Sequence, residues 1–272
     1  MSQQVTKQML NDYLQSVSDG EQTEGEHDPF FQLYQRYLEQ RYTRLATPGK
    51  VLLVIGTGRN GSTSIAAALR CLPNSLISHE RPPLLPWYDG PKQLQFHLRF
   101  IEISRQYFEF VGDVSHWWLP HLDTLRARLG GLLVIHLQRE SAATIQSFIK
   151  LKSRPGKSFN HWVEQRGLWW TADSWDPCYP NIPLSTSLPQ PDAPDYPPAV
   201  SRYVISEYVQ QYHLSAQADV AQQGGLTLQL AELFSAATEQ RLSEYLGVEL
   251  DWHHVHLNQD DTRHSAYMTV FK

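Results

Sequence analysis

The 272-residue chain predicts an α/β fold, a three-layer sandwich with a central, mainly parallel sheet and helices on both sides. Two observations lead there. Val51 to Ile55 is apolar at every position, as a strand covered on both faces requires, and after a glycine-rich turn it passes into the apolar helix Ile65–Leu69. The step recurs where the apolar run Leu132–Leu137 ends at Arg139 and continues into a helix. A chain with 41% hydrophobic residues can bury a core of the size this fold needs, at the upper end for a single α/β unit.

In chain order, the polar and acidic sequence up to His27 reads as a frayed, flexible arm over residues 1–28. FFQLYQRYLEQRYTRLA then has helical spacing at Phe31, Tyr34, Leu38 and Tyr42, and Pro48-Gly49 stops it before the first strand. Residues 152–198, rich in Trp, Pro, Asp and Ser, form no periodic element. Their aromatic content predicts an ordered lid or acceptor-site wall, where Trp169, Trp170 and Trp175 have faces suited to an adenine or a sugar. Ala199–His213 resumes the fold as a helix with Tyr203, Tyr208 and Tyr212 along the face expected to serve the core. No internal repeat is visible, and residues 1–272 read as one domain.

A net charge of −5 argues against a general nucleic-acid binder, whose backbone contacts need clustered Lys and Arg. The N-terminus lacks a signal-peptide core, and no run approaches the ~18 apolar residues of a membrane span, so a cytoplasmic location is expected. Cys71 and Cys178 make no metal or redox motif and read as reduced thiols. His253, His254 and His256 have no acidic or Cys partner at ligand spacing, and no metal site is expected.

The chemistry concentrates in GTGRNGSTS. Gly56, Gly58 and Gly61 permit backbone angles that turn successive N–H groups into one concavity at the positive end of the helix, a ready anion site. Arg59 adds a charged fork, and Ser62, Thr63 and Ser64 add hydroxyl donors. Ser62 stands where a Walker loop has its lysine, which disfavours an ATP or GTP hydrolase. The dinucleotide pattern G-x-G-x-x-G is met in full, with Glu80 near the distance of a ribose-binding acid, so an NAD(P)-dependent oxidoreductase stays open.

Arg59, Asn60, Gly61, Ser62 and Thr63 also resemble the 5′-phosphosulfate loop of the sulfotransferases. The family's second signature, a strand ending in Arg with Ser eight residues on, is matched by Arg139 and Ser147 in LLVIHLQRESAATIQSF. The later segment LTLQLAELFSAATEQRLSEYLGVELD is similar to the family's last strand and helix, with Glu232-Leu233 and Leu246-Gly247 in the matching places. The family's glycine-rich basic tail has no counterpart, leaving Arg263 or Lys272 to close over the nucleotide. The resemblance implies a P-loop-like nucleotide-binding core and the cofactor 3′-phosphoadenosine 5′-phosphosulfate (PAPS; product PAP). Gly58 to Ser64 would hold its 5′ end, and Arg139 and Ser147 its 3′-phosphate.

It further implies in-line sulfuryl transfer to a hydroxyl, or an amine, of a small molecule or saccharide, with Arg59 stabilising the departing oxygen and no metal required. The base has two candidates. Glu80, after the second strand, lies where carbohydrate-type members carry a glutamate, and is placed first. His116 in GDVSHWWLP resembles the histidine of cytosolic members, although Val114 replaces the lysine expected two residues ahead. Glu80 paired with Arg81, and His116 packed among Trp117, Trp118 and Leu119, are the structural alternatives; Asp113 would support His116 or lie at the surface. A non-catalytic nucleotide-binding protein is the third reading of the chain.

Overall fold

The computed structural model describes residues 5–17, 23–88, 90–152, 179 and 196–250. Five strands form one sheet: β1 (Lys50–Ile55), β2 (Ser75–His79), β3 (Phe110–Val114), β4 (Leu132–Gln138) and β5 (Leu226–Gln229). Their order is β2-β3-β1-β4-β5, and every neighbouring pair runs parallel. The α/β sandwich expected from the sequence is therefore present.

Side-chain alternation along β1 explains the third layer. Val51, Leu53 and Ile55 join one buried cluster, with helices α1 (Lys7–Ser16), α2 (Phe30–Glu39), α4 (Pro91–Ser104) and α5 (Leu122–Leu129). Helices α6 (Ser141–Lys152) and α7 (Tyr196–Gln223) complete that face through Phe148, Val204, Ile205 and Tyr208. Leu52 and Val54 point the other way, into a cluster with α3 (Ser62–Leu69) and α8 (Ala236–Leu246). A strand wrapped on both faces must be apolar at each position, and all five residues of Val51–Ile55 are at most 2% exposed. Each such side chain contributes roughly 1.5–3 kcal/mol relative to exposure.

Where a frayed arm was expected, the structure has α1. Thr6 caps it by accepting from the Met9 amide, and Leu10 and Leu14 are buried. The Asp28 carboxylate accepts from the Tyr13 hydroxyl at 2.6 Å, the Thr23 hydroxyl at 3.0 Å and the Phe30 amide at 3.0 Å, which joins α1 to the start of α2. Residues Phe30, Tyr34, Phe96 and Phe100 then pack ring to ring beneath the sheet.

Helix α7 starts earlier and ends later than the span expected from the sequence. It is fixed by the Arg126 guanidinium, which donates two hydrogen bonds of 2.6 Å to Asp219, and by His213, whose Nδ1 lies 3.0 Å from Nε2 of His136 on β4. Among the described residues no helix is long and apolar enough to cross a membrane. Apart from residues 152, 179 and 196–198, the lid segment lies outside the described residues, as do its tryptophans, Cys178 and the tail with His253, His254, His256, Arg263 and Lys272.

Candidate functional site

The order β2-β3-β1-β4-β5 makes β1 the strand at which the chain reverses direction across the sheet, since β2 and β3 lie on one side and β4 and β5 on the other. Open α/β sheets bind ligands beyond the C-terminal ends of their strands at such a point. The loop leaving β1 there is Gly56–Gly61.

Its shape follows from three left-handed residues. Gly58 and Gly61 have φ of 78° and 90°, and Arg59 has φ of 56°. Gly61 is also the N-cap of α3, and a Cβ there would lie 2.3 Å from Leu230 Cδ1. The helix begins at Ser62, so the Ser62 and Thr63 amides point from its positive end, ahead of the Ser64 amide, which donates to the Gly61 carbonyl at 2.9 Å. Ser62, Thr63 and Ser64 occupy that first turn, half-buried.

Asn60 serves the loop rather than a ligand with its side chain. It is 1% exposed, and its amide donates to the Leu137 carbonyl at 2.8 Å, stapling the loop to β4. From the other side, the Tyr208 hydroxyl donates to the Thr57 carbonyl at 2.7 Å, and the Tyr212 hydroxyl accepts from the Gly56 amide at 3.0 Å.

The two signatures, eighty residues apart, meet. Arg139, one residue beyond β4, donates through Nη1 to the Arg59 carbonyl at 2.9 Å, and Arg59 Nε donates to the Ser147 hydroxyl at 3.2 Å. Two guanidinium groups, a hydroxyl on α6 and the start of α3 therefore form one cationic region. That donor set suits an anion with more than one phosphate or sulfate group.

Both base candidates face the same space. Gly56, Gly58, Ser62, Glu80 and His116 line one cavity that opens to solvent. Glu80 extends the ladder beyond β2, its amide donating to the Val114 carbonyl, and the Ser115 amide donates to the Val54 carbonyl, which brings His116 alongside β1. His116 Nδ1 lies 3.8 Å from Glu80 Oε1, with side-chain exposures of 3% and 44%. Desolvation pushes the Glu80 carboxyl up, but the His116 imidazole beside it, together with His79 and Arg59, outweighs this and holds it below the usual carboxylate value. Tyr179 stacks on the His116 ring at 4.2 Å between centroids. Glu80 also carries a φ of 51°. Left-handed backbone at a non-glycine residue costs on the order of 1–3 kcal/mol and collects at functional sites, and two of the three such residues described here are Arg59 and Glu80.

The structural alternatives for these residues are filled differently. Arg81 turns into the core, its guanidinium 4.0 Å over the Phe100 ring and donating to Ser78 Oγ and His97 Nδ1. Asp113, expected beside His116 or at the surface, is fully buried and accepts from Ser78 Oγ at 2.6 Å, Trp118 Nε1 at 2.9 Å and the Arg81 amide at 3.3 Å. It holds together β2, β3 and the turn after β3.

Sequence reasoning missed His79, whose Nε2 lies 3.0 Å from Ser62 Oγ, and the loop-holding hydroxyls of Tyr208 and Tyr212. The His79-Glu80 pair at the end of β2 was a local signal for the first. For the tyrosines, helical spacing gave the face but not the partner.

No protein-family model matches the chain, and no curated protein matches it. Among solved structures it is similar to a sulfotransferase from Alicyclobacillus acidocaldarius at 12% identity, covering 81% of this chain and 88% of that one, with a TM-score of 0.42.

Proposed function

We propose that the protein is a sulfotransferase that uses PAPS and transfers its sulfuryl group to a hydroxyl of a small molecule or saccharide. The observation that carries this reading is the convergence of Arg59, Arg139 and Ser147 at the loop after β1, on the same region as Glu80 and His116. The residues fit such a cofactor: left-handed glycines at 58 and 61 shape the loop, the start of α3 offers amides to the 5′ phosphosulfate, and Arg139 with Ser147 offers a second anion contact for the 3′-phosphate. Bound there, PAPS would supply the activated sulfuryl group.

The chain's own residues do the rest. The acceptor hydroxyl loses its proton as its oxygen forms the new bond to sulfur, while the bond from sulfur to the phosphate oxygen breaks and leaves negative charge on that oxygen. Arg59 and the loop amides are aimed at that charge in advance. The proton goes to the Glu80–His116 pair. Glu80 Oε1 lies 3.8 Å from His116 Nδ1, so the carboxylate is placed to stabilise the imidazolium formed when the neutral ring takes that proton.

Strand order weighs against the dinucleotide reading. In a dinucleotide-binding sheet of order 3-2-1-4-5-6 the second strand adjoins the first and delivers its acid to the ribose. Here β3 lies between β1 and β2, so Glu80 emerges one strand away.

Thermal unfolding with nucleotides tests the proposal. PAP at 100 times its dissociation constant should stabilise the protein by about 2.7 kcal/mol, with NADPH and ATP giving no shift, and an acceptor panel should then reveal PAPS turnover. Stabilisation by NADPH instead would overturn the reading; binding of PAP with no turnover on any acceptor would point to a non-catalytic nucleotide-binding protein.

A further inference from the structure

We propose that Tyr212 is a positioning residue whose single hydroxyl sets the separation between the anion loop and the His116 proton acceptor. The inference rests on the sulfuryl-transfer reading. Its hydroxyl accepts from the Gly56 amide at 3.0 Å and donates to the His116 carbonyl at 2.9 Å, so one atom joins the end of β1 to the turn after β3. Both bonds are buried, and the side chain is 3% exposed.

The two ends it joins have little slack. A Cβ at Gly56 would lie 1.8 Å from Asn60 Nδ2 and 2.7 Å from the Leu137 carbonyl oxygen, so the loop is confined where Tyr212 touches it. The donor is equally confined, because α7 is anchored one residue later through His213 to His136 and further on through Asp219 to Arg126. The neighbouring Tyr208 differs in one informative way. Its hydroxyl donates to the Thr57 carbonyl at 2.7 Å, a contact to the loop.

In-line transfer needs the acceptor oxygen, sulfur and leaving oxygen held at a fixed spacing, and misplacement by about 1 Å can cost on the order of a hundredfold in rate. A bridge between the two halves of the site therefore acts on turnover, whereas a contact to the loop alone acts on nucleotide binding. Removing the Tyr212 hydroxyl leaves a buried N–H and a buried C=O without it, and each relaxes toward water independently.

Tyr212→Phe and Tyr208→Phe, compared with the wild type, test this by sulfate release from PAPS to water and by amide hydrogen exchange of the protein alone. Tyr212→Phe should lower kcat by about tenfold or more and leave KM for PAPS within about threefold. Tyr208→Phe should show the opposite split. Tyr212→Phe should also speed exchange in residues 52–58 and 114–118 together. Should it fail to fold, 3,5-difluorotyrosine at 212, which keeps the shape and alters the hydroxyl, must lower kcat without raising KM. Equal loss of kcat and KM efficiency in both variants, an unchanged kcat, or faster exchange in one segment alone would overturn the proposal. A wild type that does not cleave PAPS would instead remove the sulfotransferase reading, and the exchange measurement would then decide the bridge by itself.

Discussion

Residues 56–64 are tied on every side, by Asn60 to β4, by Tyr208 and Tyr212 to α7, and by Arg139 to the Arg59 carbonyl, whereas Glu80 and His116 meet at 3.8 Å with 44% of the Glu80 side chain in solvent. The two regions border one cavity and do different work. Stabilising charge on a leaving oxygen depends on donors fixed before the reaction, since reorganising them would cost what they contribute. Of the pair, Glu80 is the one open to solvent, while His116 is buried, stacked by Tyr179 and held at its carbonyl by Tyr212. On the proposed sulfotransferase reading, the tightly held loop would meet the nucleotide and the side that carries Glu80 would meet the acceptor.

The largest effect that could break this comparison lies in the looser half. Glu80→Gln and His116→Asn should each leave PAP affinity unchanged and lower turnover by about 10²–10⁴, the range for loss of general base catalysis. Because the pair acts as a unit, the double variant should be no slower than the worse single one. Additive losses would separate the two residues and dissolve the pair.

A smaller effect sharpens the comparison from the rigid half. His136 and His213 meet at 3.0 Å where α7 fastens to the sheet, and burial pushes both down, His136 to about 3 with the neighbouring imidazole adding to the shift. The unfolded chain therefore binds protons near pH 6.5 that the folded one refuses. The stability from these groups is complete above pH 6.5 and falls as pH drops below it, by about 1.4 kcal/mol per pH unit for His136, with His213 adding in the same direction. His97, pushed down by burial and then by the Arg81 charge, adds in the same direction. Denaturant unfolding of His136→Leu between pH 7 and 5 should show a shallower decline than the wild type. An identical slope would contradict it.

Signals that sit within a few residues of one another were legible. The apolar run at Val51–Ile55, the glycines and the three hydroxyls specify a strand, a turn and a helix start locally, and the structure has each. The Arg139–Ser147 pair was singled out by resemblance, and the structure brings both residues to Arg59. What escaped depends on partners far along the chain. Tyr212 reads as a core residue until its hydroxyl meets Gly56, 156 positions away, and Asn60 reads as a ligand donor until its amide meets Leu137. Glu80 and His116 read as rivals because they match different branches of the family that the chain resembles; parallel pairing of β2 with β3 brings them together. Helix α1 was missed because its polar residues outnumber the buried Leu10 and Leu14, whose contribution comes from the tertiary contact.

The central claim is that the loop after β1 and the Arg139–Ser147 pair together clasp an adenosine carrying phosphates at both ends. Titration calorimetry of the wild type and of Arg139→Ala with PAP and with adenosine 5′-monophosphate addresses it most directly. The wild type should bind PAP at least about tenfold more tightly than the monophosphate, as one lost charge-assisted contact requires, and Arg139→Ala should bind the two alike. Equal affinity of the wild type for both nucleotides, or a preference for PAP that survives in Arg139→Ala, would contradict the account.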